Sequence, residues 1–294
     1  LTPRSTAFET TAQMDLTQQL EHRLPDGRTL AYATWGNSGL VVIHHHGTGS
    51  SRFEAAALAR AADGLPLRVI GIDRPGCGAS THDPKRDFRS VHADLEHLAD
   101  ALGIERFFVS GVSGGAAFAS TAALFPRTIK CYPLNMSPDL GSKAAPLIPV
   151  SLRIAIWLMV RPMVFRGTAR RARVDPLARV TKSRMPEIDK KVLLEEIPDI
   201  WVAAVREGSR LGTDGIARDT ILLRKPWGIN WDEMLAPVEI RQGEQDPFLP
   251  FPRALVPLQP NTTLIEFEGG HTAALGRAVL RGVAEDMLQV AGHT

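Results

Sequence analysis

FFVSGVSGGAAFASTAALF (residues 107–125) is the stretch that decides the fold. Phe107 to Ser110 reads as a short strand with large side chains. Gly114 to Phe125 reads as a helix of small residues, able to lie close against a sheet. Between them runs Gly111-Val112-Ser113-Gly114-Gly115. A Gly-x-Ser-x-Gly pattern can arise by chance in a chain with 25 glycines, so the pentapeptide alone says little. Its position between a strand and a helix says more. A tight strand–helix turn there presents the Ser113 hydroxyl outward, at the positive end of the following helix, and flanking residues without Cβ let strand and helix approach. Ser113 is therefore the candidate nucleophile, and Val112 beside it a candidate pocket residue.

Outward from this turn, strand-like runs alternate with helical patterns. Thr29–Thr34 follows the Asp26-Gly27 turn. Leu40–His45 and Leu67–Ile72 are continuous apolar runs, the mark of strands buried on both faces. Ile129–Leu134, Val238–Arg241 and Thr263–Phe267 complete the set. Phe53–Ala62 and Ala273–Val290 read as helices, and Asp87–Leu102 places Phe88, Val91, Leu95, Leu98 and Leu102 on one helical face. This alternation predicts an α/β fold: a mostly parallel sheet with helices on both sides. The rhythm breaks between residues 137 and 232, where only helices and loops are read. The expected organisation is a core of residues 1–136 and 233–294 with a helical insertion, 137–232. The insertion carries 17 Lys/Arg and 11 Asp/Glu, net +6, and the remainder 17 and 21, net −4. Its densest basic cluster, Arg166, Arg170, Arg171 and Arg173, reads as a solvated face or as an attractor of acidic substrates or an anionic membrane surface.

The 294 residues are 44% hydrophobic and 22% charged, with a net charge of +2. These are ordinary globular values, and the charge balance argues against a nucleic-acid binder. Two cysteines, Cys77 and Cys131, exclude a disulfide framework and a Cys-rich zinc module and fit a reducing, cytoplasmic setting. Leu1–Gln18 has no apolar run of the signal-peptide kind. Ala144–Phe165 is rich in Leu, Ile, Val and Met, but Arg153, Arg161, Pro146, Pro149 and Pro162 interrupt it. An apolar helix over a pocket is expected there, not a membrane span. Trp157 and Met159 are its candidate pocket residues, with Leu147, Leu152, Ile156, Val160 and Met163 as further walls and Trp201, Trp227 and Trp231 elsewhere in the insertion.

A serine hydroxyl needs a base. After an elbow of this kind the acid and then the histidine follow in sequence, and only His271 and His293 come after Ser113. His293 is the penultimate residue. His271 follows Gly269-Gly270 between a strand and the last helix, where a parallel sheet places its ligands. Asp246, in the loop after Val238–Arg241, is the candidate acid that orients the imidazole. Glu244 is the near alternative and Asp139 the remote one. An oxyanion needs fixed N–H donors, expected from the backbone of Gly114 and of Thr48 in His46-Gly47-Thr48-Gly49. His44, His45 and His46 do not read as a metal site, because consecutive strand residues point to opposite faces. No metal and no cofactor is called for.

Together, His46-Gly47-Thr48-Gly49, the turn Asp73 to Ser80, the elbow at Ser113, the loop at Asp246 and Gly270-His271 resemble the α/β-hydrolase superfamily, in a serine-nucleophile form with a helical cap. The resemblance implies a structural part for the Asp73–Ser80 turn. It also implies a looser oxyanion loop, since Gly49 stands where many members carry Pro. A serine nucleophile argues against haloalkane dehalogenase and epoxide hydrolase chemistry. The absence of a His-Gly-Gly-Pro-Gly loop weakens a proline iminopeptidase reading. The expected activity is carboxylesterase-like: cleavage of an ester, thioester or lactone of a small apolar substrate. Carbon–carbon bond hydrolysis, perhydrolysis and acyl transfer use the same triad and stay open, as does a non-enzymatic ligand receptor on this fold. A rival reading, dinucleotide binding by Gly47-Thr48-Gly49 with Asp73 as the ribose acid, puts Arg52 where a third glycine belongs. The partner called for is a small-molecule substrate, without nucleic acid or stable membrane insertion; a homodimer stays open.

Overall fold

The computed structural model describes residues 14–159 and 161–292. Eight strands form one sheet: β1 (Leu20–Arg23), β2 (Thr29–Trp35), β3 (Leu40–His45), β4 (Leu67–Ile72), β5 (Phe107–Val112), β6 (Thr128–Leu134), β7 (Val238–Gly243) and β8 (Thr262–Phe267). Their order is β1-β2-β4-β3-β5-β6-β7-β8. β1 and β2 run antiparallel at one edge, and from β4 onward every neighbouring pair is parallel. This is the mostly parallel sheet that the alternation of strands and helices predicts.

The two-residue period of a strand sorts side chains to opposite faces. Ile43, Ile70, Phe107 and Val109 enter one apolar cluster, while Val42, Val69 and Phe108 enter the other. The first face is covered by α2 (Phe88–Ala101), whose Val91, Leu95 and Leu98 are buried, and by α3 (Gly114–Ala122). The second is covered by α1 (Ala55–Ala61) and by the last helix (Arg277–Val290), through Leu280, Val283, Ala284 and Met287. α2 starts at a reciprocal cap, the Asp87 carboxylate accepting from Ser90 N–H while the Ser90 hydroxyl accepts from Asp87 N–H. Such a cap satisfies end donors that no helix turn can reach.

Between β6 and β7 the described residues form helices and loops and no strand: α4 (Val150–Met159), α5 (Pro162–Val174), α6 (Pro176–Thr181), α7 (Glu187–Lys191), α8 (Pro198–Gly208) and α9 (Asp214–Leu223), with a π-helical turn at Val192–Glu196. Buried ion pairs tie this segment to the rest. Asp219 of α9 sits between Arg74 and Arg86, all with fully buried side chains. Glu207 of α8 meets Arg52, whose guanidinium also holds Asp73. Asp73 further accepts from the N–H groups of Arg52 and Ala79. The carboxylate that imitated a ribose ligand is thus spent inside the protein, which removes the dinucleotide reading. α10 (Pro250–Leu255) and α11, the helix Arg277–Val290, complete the chain.

α4 differs from expectation. Val150, Ile154, Trp157 and Leu158 form an exposed stripe, while Leu152 packs against the core. Trp227 and Trp231 are buried in that core. Among the described residues no helix is long and apolar enough to cross a membrane.

Candidate active site

β5 ends at Val112 and α3 starts at Gly114, so the chain reverses at one residue. Ser113 adopts φ 55° and ψ −118°, a conformation that costs a residue with a Cβ about 1–3 kcal/mol. The glycines around it answer a close approach. A Cβ on Gly111 would come within 2.4 Å of Gly115 O, and one on Gly115 within 2.1 Å of His45 O. Ser113 N–H donates to Leu134 O at 2.9 Å, which fixes the turn against β6.

The parallel strands bring the other sequence candidates to the same sheet edge. His271 Nε2 lies 2.8 Å from Ser113 Oγ, and His271 Nδ1 lies 2.7 Å from Asp246 Oδ2. The other Asp246 oxygen accepts from Phe248 N–H at 2.9 Å. The Phe248 ring stands edge-on to the imidazole, 5.5 Å between centroids. Asp246 is buried, while the His271 side chain is 33% exposed, so a small molecule can reach it. Burial disfavours the charged imidazole, but the hydrogen bond to Asp246 and the negative charges of Asp246, Asp189 and Glu54 outweigh it. The His271 pKa therefore lies above the ordinary 6.5. The two alternative acids lie elsewhere. Glu244 is exposed. Asp139 is buried and accepts from Gly141 N–H, Trp227 N–H and the Trp231 indole. Burial raises its pKa despite those donors.

Thr48 and Gly114 face each other across the turn. A Cβ on Gly114 would meet Thr48 Oγ1 at 2.1 Å and Leu223 Cδ1 at 3.2 Å. Neither backbone N–H has a partner among the described residues. The loop bearing Thr48 is fastened, not loose. Gly47 N–H donates to Glu54 Oε1 at 2.8 Å, and the Arg74 guanidinium donates to the His46 and Gly47 carbonyls at 2.5 and 3.5 Å. Gly49 has φ +91°, which a proline ring at this position would forbid.

The remaining candidates separate from this cluster. Val112 packs with Tyr132 and Leu134 in the core. Trp157 is held between the Arg161 and Arg224 guanidiniums, 4.9 and 4.5 Å from its ring. The Met159 side chain lies outside the described residues, as do the Ile156 side chain and Val160. The three neighbouring histidines have separate partners: His44 meets Ser110 Oγ and Glu54, His45 stacks on Phe118, and His46 Nδ1 meets Gly47 O.

Two buried residues that sequence reasoning passed over complete the frame. Asn135, at the end of β6, has φ 46°. It donates to the Gly270 and His271 carbonyls and accepts from Gly243 N–H, joining the His271 loop to the strand that leads to Asp246. Its only sequence signal is an Asn directly after a buried strand, one of the few non-glycine types that tolerate this φ. Asp189 accepts from four donors of residues 270–273. In Glu187-Ile188-Asp189-Lys190-Lys191 it looks like one charge of a solvated helix.

A family model described as the alpha/beta hydrolase fold matches residues 39–278. No curated protein matches the sequence. Solved structures similar to it include an enol-lactonase from Burkholderia xenovorans LB400, with 17% identity over 93% of this chain and 100% of that one and a TM-score of 0.65. A thermophilic esterase from Thermogutta terrifontis has 18% identity over 94% and 100%, TM-score 0.64. A proline iminopeptidase from Mycobacterium smegmatis has 20% identity over 93% and 100%, TM-score 0.62. Identities this low carry the fold alone, and the three named activities differ. The chemistry has to be read from this chain's own residues.

Proposed function

The chain belongs to the α/β-hydrolase family, and on that premise we propose that it is a serine hydrolase of the carboxylesterase kind, cleaving an ester, thioester or lactone of a small apolar substrate. The carrying observation is the continuous relay from Ser113 Oγ to His271 Nε2 at 2.8 Å and from His271 Nδ1 to Asp246 at 2.7 Å. His271 takes the proton as Ser113 Oγ attacks the carbonyl carbon. The oxyanion that forms accepts from the free N–H groups of Thr48 and Gly114, whose fixed dipoles need no reorganisation at that moment. His271 then protonates the leaving alcohol or thiol, and the C–O or C–S bond breaks to leave an acyl-Ser113 ester. Water, deprotonated by the same ring, releases the acid. Asp246 holds the proton on Nδ1 and stabilises the imidazolium.

We assign residues 137–232 as a cap over this site. Leu223 beside Gly114 and Ile188 beside Gly269 are insertion residues at its border, and with Phe248 they favour an apolar substrate body. The test is a serine-directed fluorophosphonate followed by peptide mapping, with a panel of p-nitrophenyl esters and lactones for turnover. One label at Ser113 is expected, with Ser113→Ala unlabelled and inactive. A label on another residue refutes the assignment.

A further inference from the structure

On the triad reading above, we propose that Asp189 of α7 is a positioning residue of the reaction: a carboxylate from the insertion that mounts the loop carrying His271. Two glycines open this loop. Gly269 is at φ +129° and Gly270 follows it, so its two most flexible residues directly precede the base. Asp189 Oδ2 accepts from Gly270 N–H at 2.6 Å. Its Oδ1 accepts from Thr272 N–H at 2.6 Å, the Thr272 hydroxyl at 2.9 Å and Ala273 N–H at 3.2 Å. Asn135 takes the Gly270 and His271 carbonyls from the opposite side. The peptides around His271 are therefore gripped by a core amide through their carbonyls and by an insertion carboxylate through their N–H groups.

The choice of aspartate is informative. Asp189 is 1% exposed, and no cation pairs with it among the described residues. A buried charge without a counter-ion is costly unless donors surround it. These donors are the loop itself, so carboxylate and loop geometry are interdependent. Asparagine has one acceptor oxygen and would turn its NH₂ group toward one of the N–H donors. The charge also acts on the ring. Asp246 from the loop after β7, Asp189 from α7 and Glu54 from the turn after the Thr48 loop each act on the ring with negative charge, and Ser113 Oγ lies at its Nε2.

Two variants separate position from charge. Asp189→Asn keeps the shape and removes the charge. It should lower kcat by up to about 10²-fold, the cost of an ångström of misplacement, with KM little changed. The acid limb of the pH–rate profile should move to lower pH. Asp189→Glu keeps the charge but overshoots the loop by a methylene, and should lose kcat with the limb in place. Phosphonylation of Ser113 and p-nitrophenyl acetate hydrolysis supply the rates, and thermal unfolding checks the fold. Wild-type kcat in Asp189→Asn, or a loss with an unmoved limb, overturns the proposal. Should that variant fail to fold, wild-type kcat in Asp189→Glu overturns it. Failure of the triad reading shows separately, as absence of a Ser113 label in the unaltered protein.

Discussion

Replacing Asp246 by Asn tests the relay at its most constrained joint. The two carboxylate oxygens are not equivalent. Oδ1 is fixed by Phe248 N–H at 2.9 Å, and Oδ2 faces His271 Nδ1 at 2.7 Å. An asparagine amide has to keep its oxygen toward Phe248 N–H, because the alternative sets two donors against each other. Its NH₂ group then points at Nδ1, which can only accept. The ring proton is driven to Nε2, where it faces Ser113 Oγ and blocks deprotonation. Geometry survives and the tautomer is wrong. For the equivalent acid in a serine protease that substitution costs about 10⁴ in kcat, or roughly 5 kcal/mol, and the same order is expected here. The assay is the rate of fluorophosphonate labelling of Ser113 near neutral pH, which needs no knowledge of the natural substrate. Asp139→Asn is the control, and it should label as wild type does, because its oxygens serve Trp227 and Trp231. Asp246→Asn within about tenfold of wild type refutes the tautomer argument, since a misdirected ring proton should cost about a thousand times more than that.

Two further outcomes follow from the same geometry. Because only the neutral ring accepts the Ser113 proton, labelling should fall as pH drops, with a midpoint above the ordinary imidazole value of 6.5, the direction set by Asp246, Asp189 and Glu54 against burial; a midpoint below it, from the labelling rate against pH, contradicts this. Asp219→Ala strands the Arg74 and Arg86 guanidiniums, both fully buried, and should cost about 3–5 kcal/mol in urea unfolding; a loss under about 1 kcal/mol would mean water reaches them.

The readable part of this molecule was local. Leu40–His45 and Leu67–Ile72 are read from sequence with the bounds they have in the fold, because strands covered on both faces are apolar without interruption. β1 escapes the same reasoning. Leu20-Glu21-His22-Arg23 is mostly exposed, and only its pairing with β2 makes it a strand. α4 misleads in the opposite direction: an apolar run implies a neighbour, and its stripe from Val150 to Leu158 meets solvent instead. The proposed nucleophile and base, Ser113 and His271, stand where short motifs meet strand ends, so their candidacy needed no distant partner. Among the fasteners, Asn135 and Asp189 have no such motif. Asn135 is bonded 135 residues ahead, Asp189 81 residues ahead, and Arg74 to an aspartate 145 residues away. An isolated polar residue looks the same in sequence whether it faces water or a buried loop. What distinguishes Asp189 is that four donors converge on it, and those donors belong to a loop made flexible by Gly269 and Gly270. Flexible glycines before a catalytic base are thus a reason to search the rest of the fold for the carboxylate or amide that takes up the freedom they introduce.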